Sequence, residues 1–460
     1  MEEAIVMYPS PAIGHLISMV ELGKLILTLR PSLSINILIT TLPYDAGSTS
    51  TYINQVSATT PSIAFHHLPP LSAAISTASP HHEALAFQFL NLNIPNVLQA
   101  LVSLSKTFKI RALVMDFFCA QALSVSVAME VPGYLFMTSG ASTLAWLLYQ
   151  STLHKTIPQS FKDLKADIQI PGLPPMPAAD MPKPVQDRDD EAYEAFLIVS
   201  NEVLKSAGII INTFKCLEPR VIKAISHGLC SPDGQATPPL HCIGPLISGA
   251  DRTGGRGECF AWLDSQPRQS VVFLCFGSLG LFSKEQLKEM AVGLERSGQR
   301  FLWVVRSPEP ETDLEALLPA GFVSRTKDRG LVVGPWAPQV SVLNHDSVGG
   351  FVTHCGWNSV LEALCAGVPM AAWPLYAEQR LNRVVLVEEM KLALPVRESE
   401  GGFVAAGEVE KRVRELMESE EGKSVRKRVL MMKRAAEEAM EEGGSSITAL
   451  SRLVDPWTRA

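Results

Sequence analysis

Basic residues are in deficit. The 460-residue chain carries 40 lysines and arginines against 47 aspartates and glutamates, a formal net charge of −7. A general nucleic-acid binder needs the opposite balance, because Lys and Arg must face phosphates. An anionic ligand here therefore has to be held by a local site. Long apolar runs are also missing: nothing approaches the ~18 uninterrupted apolar residues of a membrane span. The opening Met1-Glu2-Glu3 is acidic and lacks the basic region of a secretory signal. The eight cysteines form no C-x-x-C pair and sit mostly in apolar runs, which fits reduced core thiols in a cytoplasmic protein. Among ten histidines there is no HExxH, so no metal site is expected. Glycine (31) and proline (32) fall well short of a disordered composition. What remains is a chain that is 47% apolar and long enough for more than one globular domain.

Short apolar runs alternate with amphipathic helical stretches. Strands are predicted at 4–8, 35–40, 111–115, 134–137 and 208–212, with a helix over 15–30. The rhythm restarts with strands at 270–276, 301–305, 331–333, 349–353 and 368–373, and helices over 284–297, 358–366 and 378–390. Such βαβα alternation implies α/β domains, each a parallel sheet covered by helices. The reading gives an N-terminal domain over 1–246, a glycine-rich linker over 247–258, a second domain over 259–440 and a final helix over 441–460. The proline-rich run 170–185 cannot be helical and is expected as an ordered surface loop.

Open parallel sheets bind ligands at the carboxyl ends of their strands. In the first half those positions carry His15, Asp116 and Thr138; in the second they carry Ser278, His354 and Gln379. The first loop, Pro9-Ser10-Pro11-Ala12-Ile13-Gly14-His15, has one glycine and is no GxGxxG, which disfavours a dinucleotide cofactor. It does place a histidine at a helix start, where the positive end of the helix opposes imidazolium, so His15 is fit to be a base. Asp116 is the candidate carboxylate to orient it. The run Thr353-His354-Cys355-Gly356-Trp357-Asn358-Ser359 follows a strand and opens a helix whose first-turn amides have no intrahelical partner. Gly356 permits close backbone approach, and the whole is an anion site suited to a diphosphate. Glu362, one turn on, is an acceptor-only group suited to ribose hydroxyls.

Residues Trp336 to Gln379 read WAPQVSVLNHDSVGGFVTHCGWNSVLEALCAGVPMAAWPLYAEQ, 44 residues. This closely resembles the box of plant secondary-product glycosyltransferases, the UDP-sugar-dependent family 1 enzymes. The likeness extends along the chain through His15, Asp116 in VMDFFC, GIIINTF, Phe276-Gly277-Ser278 and the tail GGSS. It implies the GT-B architecture: two doubly wound, Rossmann-like domains facing a cleft, with the last helix crossing back to the first domain.

The same resemblance assigns roles. Trp336 stacks on uracil and the Ala337 backbone reads its edge. Gln339 and Glu362 hold the ribose, while His354, Gly356, Asn358, Ser359 and Ser278 hold the diphosphate. Trp357, Glu378, Gln379 and Thr138 line the sugar. His15 is the base and Asp116 its partner. From their apolar character, Phe117, Phe118, Tyr376 and the 81–92 segment are expected as walls for a flat aromatic acceptor. The implied protein is a monomeric, inverting enzyme that moves glucose from UDP-glucose to a flavonoid, chalcone or simple phenol, without metal or other cofactor. Gln379 goes with glucose in that family. Trp357 stands where glucuronosyl transferases carry arginine. Attack by carbon on an electron-rich phenol ring uses much the same base and is the alternative outcome. A catalytically silent binder would keep the box and lose the base, and both His15 and Asp116 are present. A nucleotide-sugar oxidoreductase or epimerase would need GxGxxG and Tyr-x-x-x-Lys, and neither occurs.

Overall fold

The structure, a computed structural model, describes residues 1–40, 48–71, 75–249, 258–306, 314–399 and 401–458. The chain divides into two compact units, Met1–Ile247 with Glu438–Ala460, and Ser248–Glu437. Most of the expected linker, residues 250–257, lies outside the described residues.

In the first unit, seven parallel strands form a sheet: β1 (Glu2–Tyr8), β2 (Ser34–Ile39), β3 (Ile63–His67), β4 (Phe108–Asp116), β5 (Gly133–Met137), β8 (Gly208–Ile211) and β9 (Leu240–Cys242). Their order is β3-β2-β1-β4-β5-β8-β9. A small antiparallel hairpin, β6 (Asp167–Ile168) and β7 (Met176–Pro177), stands apart. The chain moves outward from β1 on both sides, so the carboxyl ends of neighbouring β1 and β4 form a switch point. Mostly apolar sequence makes Ala4–Tyr8 of β1, Ile35–Ile39 of β2 and the end of β4 buried, as a sheet covered on both faces requires. The helix Ile13–Leu29 buries Leu16, Met19, Val20, Leu22, Gly23 and Ile26 against it.

The helix Ser445–Thr458 belongs to this same unit although it ends the chain. Leu450, Leu453, Val454 and Trp457 join the core cluster of β1, β2 and the first helix, and Trp457 meets Tyr134 edge-on at 5.3 Å. At its start Ser446 Oγ, fully buried, donates to Gly244 O at 2.6 Å. Ser446→Ala leaves that carbonyl unpaired, so it is expected to cost about 1–3 kcal/mol of stability. Denaturant unfolding of the whole chain measures it, and an unchanged midpoint would mean that this contact does not pin the tail.

The second unit holds β10 (Val271–Cys275), β11 (Arg300–Val304), β12 (Gly330–Val333), β13 (Val348–Thr353), β14 (Met370–Ala372) and β15 (Ala393–Pro395), all parallel, in the order β12-β11-β10-β13-β14-β15. The helix Lys284–Ser297 begins at Ser283, whose side chain accepts from Gln286 N, and stops at Gly298 in a left-handed conformation.

Two expectations are corrected, and three strands are added. The 378–390 helix is α-helical only over Gln379–Val384 and continues as a π-helical turn over Val385–Glu389, a widening that period counting does not register. The 170–185 run is no surface loop: Ile170, Leu173, Met176, Ala178, Met181 and Val185 are buried, and short 3₁₀ turns at Ala178–Asp180 and Lys183–Val185 accommodate its prolines. Edge strands β3, β9 and β15 are only three to five residues long and escaped the periodicity reading.

Candidate active site

Three neighbouring strands of the first sheet deliver three side chains to one edge. β1 ends at Tyr8, and after a short loop His15 stands in the first turn of its helix. β4 ends at Asp116, which also caps the 3₁₀ turn Phe117–Ala122 through Phe118 N → Oδ1 at 3.0 Å. β5 ends at Met137, directly before Thr138. Asp116 Oδ2 lies 2.7 Å from His15 Nδ1, and the carboxylate is fully buried while the imidazole keeps part of its surface open. A carboxylate only accepts, so Nδ1 carries the hydrogen and Nε2 carries the lone pair. Such a pairing fixes the tautomer and orientation of the imidazole.

Aromatic rings crowd the same spot. Phe118 meets the His15 ring edge-on at 5.5 Å and Phe117 lies 6.1 Å away. Behind them, Phe87 packs on Phe118 at 4.7 Å, and Phe196 stands 5.0 Å from Phe87 and 5.9 Å from Phe118. The sequence reading included the segment holding Phe87 but missed Phe196, which comes from the helix Glu191–Val203. Only the tertiary fold brings it to His15, and no local pattern marks it.

In the second unit, β10 and β13 run side by side, with Cys275 opposite Thr353, and deliver Gly277 and His354 to one edge. His354 is buried, and desolvation pulls its pKa down to about 4, so the ring is neutral at physiological pH. Its Nδ1 has no hydrogen-bond partner. Two glycines wall the ring: a Cβ on Gly277 would lie 2.6 Å from His354 Nε2, and one on Gly356 would lie 2.5 Å from it. Gly277 also needs its φ of +74°, and Cys355 sits at φ +67°, strained for a residue with a Cβ. No side chain caps the helix Trp357–Ala366, whose N-cap is Gly356. Its amides and the imidazole edge therefore meet where strand β13 ends, an arrangement that binds anions.

One turn into that helix, Gln339 Nε2 donates to Glu362 Oε2 at 2.6 Å and to Ser359 Oγ at 2.8 Å. Burial pushes the Glu362 carboxyl up to about 7, partly opposed by the Gln339 bond, although some of the side chain still meets solvent. The chain places Trp336 just past β12 with its indole 64% exposed, an unusual cost for so large a ring, beside buried Ala337. Ser278 is exposed on the turn after β10, and Trp357 and Asn358 lie in the first turn of their helix.

Three of the expected site side chains make further contacts within their own units. Gln379 is buried, and its Oε1 accepts from Leu375 N at 2.9 Å and Tyr376 N at 3.0 Å. Both lone pairs are thus committed to its own loop, leaving only Nε2 to donate; acceptance has to come from Glu378. Thr138 Oγ1 lies 3.1 Å from His15 Nδ1, so its hydroxyl also touches the base. Tyr376 is in the second unit, its ring 6.0 Å from His354. The loop Trp373–Glu378, with Ala377 at φ +48°, sets both outcomes, and its path is not written in residue spacing.

The two parallel-sheet units carry, at the carboxyl ends of their strands, a hydrogen-bonded His–Asp pair in the first and an uncapped helix start beside a neutral histidine in the second. Comparison with known proteins identifies the family. Residues 247–424 match the family described as UDP-glucoronosyl and UDP-glucosyl transferase. The chain is 53% identical to an anthocyanidin 5,3-O-glucosyltransferase of a Rosa hybrid cultivar, covering 99% of each, and 48% identical to isoflavone 7-O-glucosyltransferase 1 of Glycine max, covering 100% of each. Among solved structures, Phytolacca americana UGT2 complexed with UDP-2-fluoro-glucose and pterostilbene is similar at TM-score 0.92 and 38% identity, over 99% of this chain and 100% of that one. Medicago truncatula UGT71G1 complexed with UDP-glucose is similar at 0.86 and 32%, over 100% of this chain and 99% of that one. The chain belongs to the plant family 1 UDP-glycosyltransferases and has their GT-B fold.

Proposed function

We propose that this UDP-glycosyltransferase moves glucose from UDP-glucose to a hydroxyl of a small phenolic acceptor, with inversion at the anomeric carbon. The observation that carries this reading is the 2.7 Å bond between His15 Nδ1 and buried Asp116 beside a wall of phenylalanines. His15 Nε2 takes the proton of the acceptor hydroxyl as its oxygen attacks the anomeric carbon from the face opposite UDP. Asp116 stabilises the imidazolium. The bond from that carbon to the diphosphate breaks, and the charge growing on UDP goes to the His354–Ser359 helix start. Trp336 stacks on uracil, Ala337 reads its edge, and Glu362 with Gln339 takes the ribose. A flat aromatic acceptor suits Phe117 and Phe118. The relatives named above, an anthocyanidin and an isoflavone glucosyltransferase, support the acceptor class. Eight free cysteines support a reducing, cytoplasmic setting. Among the described residues no single helix is long and apolar enough to cross a membrane.

The helix amides and neutral His354 supply the electrostatic stabilisation that a divalent cation supplies elsewhere. Turnover is therefore expected to persist in excess EDTA. Loss of activity on chelation, restored by magnesium or manganese, would overturn this assignment.

The donor preference follows from Glu378, which accepts, and Gln379, which donates through Nε2. Together they suit the equatorial 3- and 4-hydroxyls of glucose, and inverting the 4-hydroxyl leaves a buried group unpaired. Such a mismatch costs ~1–3 kcal/mol, or roughly ten- to hundred-fold in preference. Buried Trp357 brings no positive charge for a sugar carboxylate. In a competition at equal concentrations UDP-glucose is expected to win over UDP-galactose and UDP-glucuronate, with UDP-xylose tolerated. A clear preference for UDP-galactose or UDP-glucuronate would contradict the roles of Gln379 and Trp357.

A further inference from the structure

On the helix Ala141–Thr156, Trp146 Nε1 and both amide atoms of Gln150 are buried without a hydrogen-bond partner. Gln150 is 0% exposed and Trp146 is 1% exposed. Leaving such groups unpaired costs about 1–3 kcal/mol each, and folded chains keep few of them. Their neighbours on the same helix are satisfied: Ser151 Oγ lies 2.9 Å from Ser200 Oγ, and His154 Nδ1 lies 3.0 Å from Tyr193 OH. Three polar atoms stay unpaired on a helix that otherwise pairs its groups.

Their direction is fixed by helix geometry. Residues four apart share a face, so Trp146, Gln150 and His154 form one stripe with Gln150 in its middle. The Trp146 ring meets Phe196 at 5.5 Å and the His154 ring meets Tyr193 at 5.7 Å, and both partners are on the helix Glu191–Val203. Gln150 is therefore aimed into the same interface. Phe196 in turn touches Phe118, which touches His15. The ring contacts run in one line from the base through Phe118 and Phe196 to Trp146, with the Gln150 amide one turn beyond.

We infer that Trp146 and Gln150 form the distal end of the acceptor site and bind an oxygen of a polyphenol remote from the hydroxyl that reacts at His15. The inference rests on the acceptor reading above and narrows it from phenols to phenols with a second oxygen at the far end. An indole N–H only donates, whereas a primary amide donates and accepts, so the pair can satisfy a phenolic hydroxyl in both senses. A monophenol of equal length leaves these polar atoms unpaired. A site built to hydrogen-bond a hydroxyl rejects the analogue without it more strongly than an apolar pocket rejects a size change.

The test uses 4,4′-dihydroxystilbene and 4-hydroxystilbene with UDP-glucose and the full-length protein. The two acceptors match in length, and whichever end of the first one reacts, an identical distal hydroxyl remains. The wild type is expected to favour the dihydroxy compound about tenfold or more in kcat/KM, the effect of one buried hydrogen bond. Gln150→Leu, and to a smaller degree Trp146→Phe, are expected to pull that ratio toward the statistical factor of about two. The melting temperature of Gln150→Leu should not fall, because it removes an unpaired buried amide without emptying the space. A wild-type ratio near two, or equal losses on both acceptors in the variants, overturns the inference while transfer itself continues. If the wild type glucosylates neither stilbene nor a simple phenol, the acceptor reading falls and this inference with it.

Discussion

His15→Ala is expected to lower transfer to a phenol by ~10²–10⁴-fold, the usual worth of a positioned general base, while UDP-glucose affinity stays within a few-fold. The two effects separate because His15 stands on the first unit, bonded to Asp116 and Thr138, whereas the anion site stands on the second. The variant leaves a small gap at a partly exposed position, so folding is not at stake. Asp116→Asn should cost less in proton transfer, since Asp116 supports the imidazolium and does not take the proton itself. It has a second job at Phe118 N, which an amide oxygen can still perform. Steady-state kcat at saturating UDP-glucose, with UDP affinity by calorimetry, reads both predictions. Retention of more than about a tenth of the wild-type turnover by His15→Ala would remove the base from the account.

Gly356→Ala is expected to weaken UDP binding by roughly ten- to hundred-fold, the worth of one hydrogen bond to a charged group. The backbone itself tolerates alanine, because Gly356 lies at φ −61° and ψ 134°. The conflict is with a neighbour: the new methyl would stand 2.5 Å from His354 Nε2 and 3.1 Å from its Cε1. Gly277 comes as close to the same nitrogen, so the imidazole has to leave the position from which it faces the helix start. Turnover at saturating donor should fall less than affinity does. Calorimetric titration with UDP checks it, and an affinity within twofold of the wild type would mean that His354 does not hold the diphosphate.

Much of this was legible in the sequence because both sheets are buried on both faces. Their central strands are mostly apolar runs, and candidate site residues stand at or just past their ends: Asp116 after Leu113-Val114-Met115, His354 after Thr353. What escaped notice depends on the path of loops and on contacts between distant segments. Phe196 and Trp146 join Phe118 only through helix packing across some 80 residues of sequence. Gln379 looks like a sugar-reading amide by position, yet the turn at Leu375–Tyr376 consumes its oxygen. The left-handed conformations at Cys355 and Ala377 are carried by residues that ordinarily avoid them, so composition gave no warning of the strain around the anion site. The 170–185 run shows the converse error: prolines signal the absence of helix, and here they say nothing about burial.

The central claim is that a base on the first unit drives attack from the face opposite a diphosphate held by the second. It predicts the stereochemistry of the product. Proton NMR of the glycoside formed from UDP-α-glucose and a simple phenol should show the large diaxial coupling of a β-glucoside, with UDP released in equal amount and only when the phenol is present. An α-glucoside, or UDP released at the same rate without acceptor, would contradict it.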